Sequence, residues 1–199
     1  MICEGRNLEK KYDLILQKAY ESIAINGYDG TSLNDIAESI GITKPAIYYH
    51  FKSKENLFLV LLDYIIEEFE KDFKKVMIDL NKIKVKDEYI LFLRELINED
   101  LYKLKKDDKV LIVLKQYYLL SFRIKSVKDR LDSLSLMNES KYFKILEKAY
   151  DLSLIEKKDI KETSIIFSMI DSSILDNYIE NSNFDYNKIW NNLINKYFD

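Results

Sequence analysis

From Ser39 to Lys54 the chain carries no acidic residue, yet Lys44, Lys52, Lys54, the only histidine (His50) and the pair Tyr48 and Tyr49 all fall in this stretch. Side chains of these types share one chemistry. Lysines attract a phosphodiester backbone, tyrosine hydroxyls donate hydrogen bonds to phosphate oxygens, and a helix N-terminus such as the one opened by Ser53 offers backbone N–H groups to the same oxygens. Lys44 can also donate to guanine O6 and N7, and Ala46 can offer a methyl contact to thymine. A solvated polar surface and an incidental histidine are the bland alternatives.

Such a surface needs elements that hold it out to solvent. Ile36, Ile40, Ile42, Ile47 and Phe51 can line the inner faces of two short helices if the chain turns sharply near Gly41. Gly41 supplies the positive φ of a helix-ending turn, the Thr43 hydroxyl can cap the next helix, and Pro45 suits a first helical turn. Ala37 lets the two helices cross closely. The pattern is a helix-turn-helix, with Lys44, Ala46 and Tyr49 on the outward side of its second helix. A first helix is predicted from Leu8 to Asn26, where Leu8, Tyr12, Ile15, Leu16, Ala19, Tyr20 and Ile23 recur at helical spacing and Asn26-Gly27 is a left-handed stop. Thr31 or Ser32 can cap the support helix, and Ser32 with Asp35 has capping-box spacing.

The run GYDGTSLNDIAESIGITKPAIYYHFKSKENLF, Gly27 to Phe58, resembles the DNA-binding signature of TetR-type (tetracycline-repressor-like) transcriptional regulators. The resemblance includes the Ile-Ala of the support helix, the Gly turn, the Tyr-x-His-Phe end of the recognition helix and the Lys-Glu-x-Leu opening of the next. It covers about the first quarter of the chain. It implies an all-α fold, with a three-helix helix-turn-helix DNA-binding domain over residues 1–53 and a helical ligand-binding and dimerisation bundle over 54–199. It also implies phosphate contacts by Tyr48, His50 and Lys54 and a DNA role for the cap hydroxyls of Thr31 and Ser32. Thr43, Lys44, Ala46 and Tyr49 complete the expected DNA-facing set. Arg6, Lys10 and Lys11 are possible outer contacts, equally readable as a solvated helix end.

Length and composition fit two modules. At 199 residues the chain holds one good core or a small domain fused to a larger one, and all four glycines and the only proline lie at or before position 45. Beyond Pro45 the chain lacks the usual breakers and is expected to be helical. A net charge of −3 argues against binding nucleic acid by bulk positive charge, so DNA contact must be local. Cys3 is the only cysteine, which excludes an intrachain disulfide. The charged N-terminus does not read as a signal peptide, and no stretch approaches the roughly 20 apolar residues of a membrane span. A cytoplasmic location without membrane contact is expected.

After Ser53 a helix is predicted to about Asn81, its apolar stripe running through Leu57, Leu61, Ile65, Phe69, Phe73, Val76 and Leu80, on the order of 40 Å long. Such a rod belongs to both modules. Further amphipathic helices are expected over about Lys86 to Lys105, Lys109 to Ser126, Lys128 to Leu152, Asp159 to Asn181 and Asp185 to Phe198. Tyr89, Phe92, Tyr117, Tyr118, Phe122, Tyr142 and Phe143 read first as core. A bundle so rich in aromatic rings could also surround an apolar or aromatic small-molecule effector, with Tyr89, Phe92, Tyr117, Tyr118, Phe122 and Phe143 as candidate lining. Glu162 to Ile179 is apolar around most of its circumference and must be buried on more than one side. In the resembling family the last two helices pair with a partner chain, which implies dimer contacts by Ile166, Met169, Ile170, Ser173 and Trp190; a monomer core is the alternative.

Enzymatic readings find little support. One histidine and one cysteine, far apart in sequence, suggest no dyad and no zinc cluster, and there is no Gly-rich phosphate loop and no Gly-x-Ser-x-Gly. No metal or cofactor is expected. The sequence therefore reads as a homodimeric, ligand-responsive repressor on a palindromic operator. An inducer-independent architectural or cell-division DNA-binding factor, and a helical small-molecule-binding protein whose DNA module has lost function, stay open beside it.

Overall fold

The computed structural model describes residues 7–106, 109–178 and 185–198, and among them every regular element is helical. The order is α1 (Asn7–Gly30), α2 (Leu33–Ser39), α3 (Lys44–His50), α4 (Lys54–Lys82), α5 (Lys86–Lys106), α6 (Lys109–Ser121), α7 (Lys125–Asp151), a 3-10 turn (Lys157–Asp159), α8 (Ile160–Tyr178) and α9 (Tyr186–Phe198).

Local chemistry accounts for the ends. Gly27 sits at φ 67° inside α1, so the helix kinks at the expected stop and continues one further turn to Gly30. Gly41, at φ 68°, closes α2 with Ile42 N–H donating to Ala37 O and Gly41 N–H to Glu38 O, a Schellman arrangement that satisfies two orphan carbonyls. Ser53 caps α4 by accepting from Asn56 N–H, while Asn56 Oδ1 reaches back to Lys52 N–H. Asp185 does the same for α9 by accepting from Lys188 N–H.

The α6–α7 corner differs from the sequence expectation. The helix expected to continue to Ser126 ends at Ser121, where Arg123 N–H and Ile124 N–H both donate to Leu120 O, and α7 starts at Lys125. This corner uses neither Gly nor Pro, so composition gives no sign of it. Ser153 closes α7 at φ 59°, with Leu154 N–H on Ala149 O and Ser153 N–H on Tyr150 O, the same Schellman pattern built on a non-glycine residue. The expected end of the Asp159 to Asn181 helix lies outside the described residues.

The chain forms two compact units, one of residues 1–68 with 112–132, the other of 69–111 with 133–199. In the first, Ile15, Ala19 and Ile23 of α1, Ile36 and Ala37 of α2, Ile47 of α3 and Leu57, Leu61 and Leu62 of α4 are buried. Each such aliphatic side chain contributes about 1.5–3 kcal/mol when fully removed from water, except alanine, which gives less. The added segment 112–132 is tied in by buried Tyr117, whose hydroxyl donates to Phe58 O at 2.7 Å, and by Arg130, whose Nη2 donates to Asp63 Oδ2 at 3.0 Å. In the second unit Tyr89, Leu93, Tyr142, Phe167, Trp190, Ile194 and Phe198 share one core. There the Trp190 indole N–H donates to Leu93 O at 2.6 Å, and Tyr89 Oη donates to Ile145 O at 3.0 Å.

Candidate nucleic-acid interface

The α2–α3 corner is held by what it buries. Ile36, Ala37, Ile47 and Phe51 point into the first unit's core, and the Phe51 ring stacks on Tyr12 at 4.9 Å between centroids. Because α3 is only seven residues long, turning Ile47 inward fixes which residues face out. Lys44 and Tyr49 are exposed, Tyr49 at 79 %, Tyr48 is 47 % exposed, and Ala46 is half-buried on the same short helix. The acid-free run therefore becomes an acid-free exposed face.

The flanking residues divide. His50 is half-buried and packs edge-on against Tyr12 and Tyr49. Ser32 holds the N-cap of α2, its Oγ accepting from Asn34 N–H at 3.1 Å. Thr31 is turned inward: it is buried, its hydroxyl donates to Gly27 O at 2.8 Å, and Ser22 Oγ lies 3.0 Å from Thr31 Oγ1. Thr31 thus supports the corner and is not part of its exposed face. Thr43 occupies the N-cap of α3 with Pro45 behind it, but its side chain makes no capping bond, so the expected hydroxyl cap is absent. Thr43 and Lys44 are both exposed.

Lys54 is engaged within the protein. Its Nζ lies 4.4 Å from the centre of the Tyr28 ring and 3.4 Å from Asp29 O, and burial lowers its pKa, partly offset by Asp29. Arg123 pairs with the Asp29 side-chain carboxylate at 2.9 Å. Tyr28 in turn titrates above its ordinary value because of burial first, then Glu55 and Asp29. Lys11 is exposed; Arg6 and the side chain of Lys10 lie outside the described residues.

The aromatic residues expected to line an effector chamber fall in both units. Tyr117, Tyr118 and Phe122 belong to the first unit, Tyr89, Phe92 and Phe143 to the second. Tyr89 and Tyr117 are core residues with hydroxyls committed to backbone carbonyls, whereas Tyr118 and Phe122 are exposed and pack edge to face on each other at 5.4 Å. An open cleft of about 1170 Å³ does lie in the second unit, but its walls are Tyr150, Leu154, Glu156, Glu162, Ile166 and Tyr197 among others, none of the expected six. Of the expected dimer contacts, Met169 is 66 % exposed and Ser173 is exposed, Ile166 and Ile170 are half-buried, and Trp190 has no exposed surface at all. Trp190 is a core residue, in edge contact with Tyr142 and Phe167.

Sequence reasoning missed a buried polar cluster in the second unit. Asp171 on α8 is 2 % exposed, with Lys141 Nζ 3.4 Å from its Oδ2, and Asp100 on α5 interacts electrostatically with both. A signal existed, since Asp171 is the only acid between Glu162 and Asp176 in a helix apolar around most of its circumference. Among the described residues no group of three or more His, Cys, Asp or Glu is placed to hold a metal ion, and no helix is long and apolar enough to cross a membrane.

Comparison with known proteins follows the same division of the chain. Residues 15–61 match the family model for bacterial regulatory proteins of the tetR family. The biofilm operon negative transcriptional regulator IcaR of Staphylococcus aureus is 46 % identical over 46 residues, 23 % of this chain and 25 % of IcaR. The transcriptional regulator QacR of Staphylococcus aureus is 30 % identical over 130 residues, 65 % of this chain and 63 % of QacR. The chain thus matches about a quarter of IcaR's length and under two thirds of QacR's. In fold, the regulator FadR of Bacillus subtilis, solved in complex with stearoyl-CoA, aligns over 94 % of this chain and 98 % of its own with a TM-score of 0.69 at 19 % identity.

Proposed function

We propose that this chain, whose residues 15–61 match the model for bacterial regulatory proteins of the tetR family, is a DNA-binding transcriptional repressor of that family, acting as a homodimer on a palindromic operator and leaving it when a small molecule binds the C-terminal unit. The family is one of regulators, not enzymes. The observation that carries the reading is the exposed face of α3, where Lys44, Tyr48 and Tyr49 stand clear of a core that takes Ile47.

Residues 1–53, with Lys54 at the start of α4, make the DNA contacts in this proposal, and the rest of 54–199 carries self-association and the effector. Lys44 and Ala46 read base edges in the major groove; Ser32, Thr43, Tyr48, Tyr49, His50 and Lys54 position the backbone. Lys54 leaves its place over Tyr28 for a phosphate at little cost, because its contact to Asp29 O is long and only partly shielded. A helix of seven residues reads too few bases to find one site in a genome. Pairing doubles the site, with two recognition helices about 34–36 Å apart in successive major grooves. Ile166, Met169, Ile170 and Ser173 of α8 supply the self-association surface, of which Met169 is a large apolar side chain otherwise left in water.

FadR was solved with an acyl-CoA, which supports an effector-bearing C-terminal unit here. The switch is a population shift: an effector that binds better to the dimer with misplaced recognition helices releases DNA to the extent of that difference in affinity. Helix α4 has residues in both units, so a change in one reaches the other along continuous backbone.

Fluorescence anisotropy with duplexes flanking the protein's own gene tests the reading. Affinity at least about a thousandfold above that for unrelated DNA, at two chains per site, is expected. Equal affinity for both duplexes contradicts it.

A further inference from the structure

Folding places a carboxylate beside the acid-free face. Asp29, in the last turn of α1, brings its backbone carbonyl to 3.4 Å from Lys54 Nζ. Burial lowers the pKa of that ammonium, and the Asp29 charge draws it part of the way back. Glu55 follows Lys54 in the chain, but adjacent residues of a helix do not face each other. A carboxylate left to itself in this place would pair with Lys54 and repel an approaching phosphate, since both interactions exceed thermal energy at short range.

Arg123 answers that carboxylate. Its Nη2 donates to Asp29 Oδ2 at 2.9 Å from the corner between α6 and α7, and its charge also acts on Tyr28, the ring beneath Lys54. The corner is held there by α6. The Tyr117 hydroxyl donates to Phe58 O, the Tyr28 ring meets Phe58 edge-on at 5.0 Å, and Gln116 Oε1 lies 2.8 Å from the point where a Cβ on Gly27 would stand. Folding stability does not explain the ion pair. The Arg123 and Asp29 side chains are 57 % and 72 % exposed, and a pair so open to water contributes little. Its position beside Lys54 gives it another use.

We propose that Arg123 is a positioning residue for DNA binding: by holding the Asp29 carboxylate it leaves the Lys54 ammonium free for a phosphate, although it stands outside the helix-turn-helix. Without Arg123 the Asp29 carboxylate turns to Lys54, whose Nζ already lies against the carbonyl of the same residue. Arg123, Asp29 and Lys54 together carry a net positive charge, and loss of Arg123 cancels it. Arg123 acts through Asp29 and needs no contact with DNA of its own.

The DNA role rests on the regulatory reading above, whereas the hold on Lys54 does not, so the full chain is tested with and without DNA. Without DNA, competitive acetylation by acetic anhydride is read at Lys54 by peptide mass spectrometry, with exposed Lys11 as the internal reference. Only the neutral amine reacts, and a carboxylate partner opposes its formation. Arg123→Ala is expected to lower Lys54 labelling about threefold, the scale of an exposed ion pair. Asp29→Asn in the same chain restores it, and Arg123→Lys, which keeps the charge, recovers most of it. With DNA, anisotropy over a range of salt concentrations is expected to show Arg123→Ala weakening cognate and unrelated duplexes alike. The slope of log affinity on log salt becomes shallower by about 0.9, the share of one phosphate contact. Asp29→Asn again restores both quantities, which a merely structural loss does not allow. Unchanged Lys54 labelling in Arg123→Ala, or a loss that Asp29→Asn leaves in place, overturns the proposal. Labelling that shifts while affinity and salt slope stay as in the wild type overturns the DNA role. A wild type that prefers no duplex contradicts the regulatory reading alone, because the labelling result stands apart from it.

Discussion

Asp100→Asn provides a sharp test of the charge arrangement in the second unit. Asp100 titrates at about 6 in the folded protein against 3.8 for the unperturbed group, so the folded state holds this proton more tightly than the unfolded chain. Stability from this group is fully present below the unfolded value and is lost as pH rises through the folded one. A shift of about two units corresponds to about 3 kcal/mol at 1.36 kcal/mol per unit, an upper bound because the replacing amide must still find partners. Asp100→Asn removes the cost of burying the ionised group and leaves Lys141 paired with Asp171 alone. The variant is therefore expected to be more stable than the wild type at pH 7.5, with the gap closing toward pH 4. Urea unfolding at four or five pH values measures it. With a slope of about 2 kcal/mol/M, the midpoint gap at pH 7.5 is on the order of 1 M. A gap that does not change between pH 4.5 and pH 7.5, or a wild type more stable at the higher pH, refutes the reasoning.

Other replacements probe other parts of the scaffold. Trp190→Phe keeps most of the ring but leaves Leu93 O without its indole donor; a loss of about 1–3 kcal/mol is expected in chemical denaturation. Gly27→Ala places a methyl 2.8 Å from Gln116 Oε1 at φ 67°, and should cost about 1–2 kcal/mol; adding Gln116→Ala should recover only the part due to crowding, since the backbone strain persists. Ser32→Ala removes the α2 cap and should lower stability by about 0.5–2 kcal/mol, seen as a fall in Tm.

The N-terminal architecture was legible because its signals are local. Gly41, Pro45 and the Ile36, Ile47 and Phe51 pattern act within one or two turns of themselves, and the structure places these side chains and the Gly41 turn as the sequence implies. The Thr43 cap failed because occupying the N-cap position does not oblige the hydroxyl to bond. Thr31 and Ser32 are adjacent and chemically alike, and only the packing of Thr31 against Ser22 and Gly27 O separates the support residue from the capping one. Among the aromatic residues beyond α4, periodicity marks a ring as inward without saying which core it enters. Tyr117 pairs with Phe58, 59 residues away, and Trp190 with Leu93, 97 residues away. The corner at Phe122 to Ile124 and the Ser153 cap carry no breaker residue, so tertiary packing alone sets them.

The central claim is that the outward face of α3 meets DNA, and paired variants on that face test it most directly. Anisotropy titrations of Tyr48→Phe and Lys44→Ala against the cognate duplex and a scrambled one separate positioning from reading. Loss of the Tyr48 hydroxyl is predicted to weaken both complexes alike, and loss of the Lys44 ammonium to narrow the preference for the cognate sequence by about 1–3 kcal/mol. Variants that both bind the two duplexes as the unaltered chain does would contradict the account.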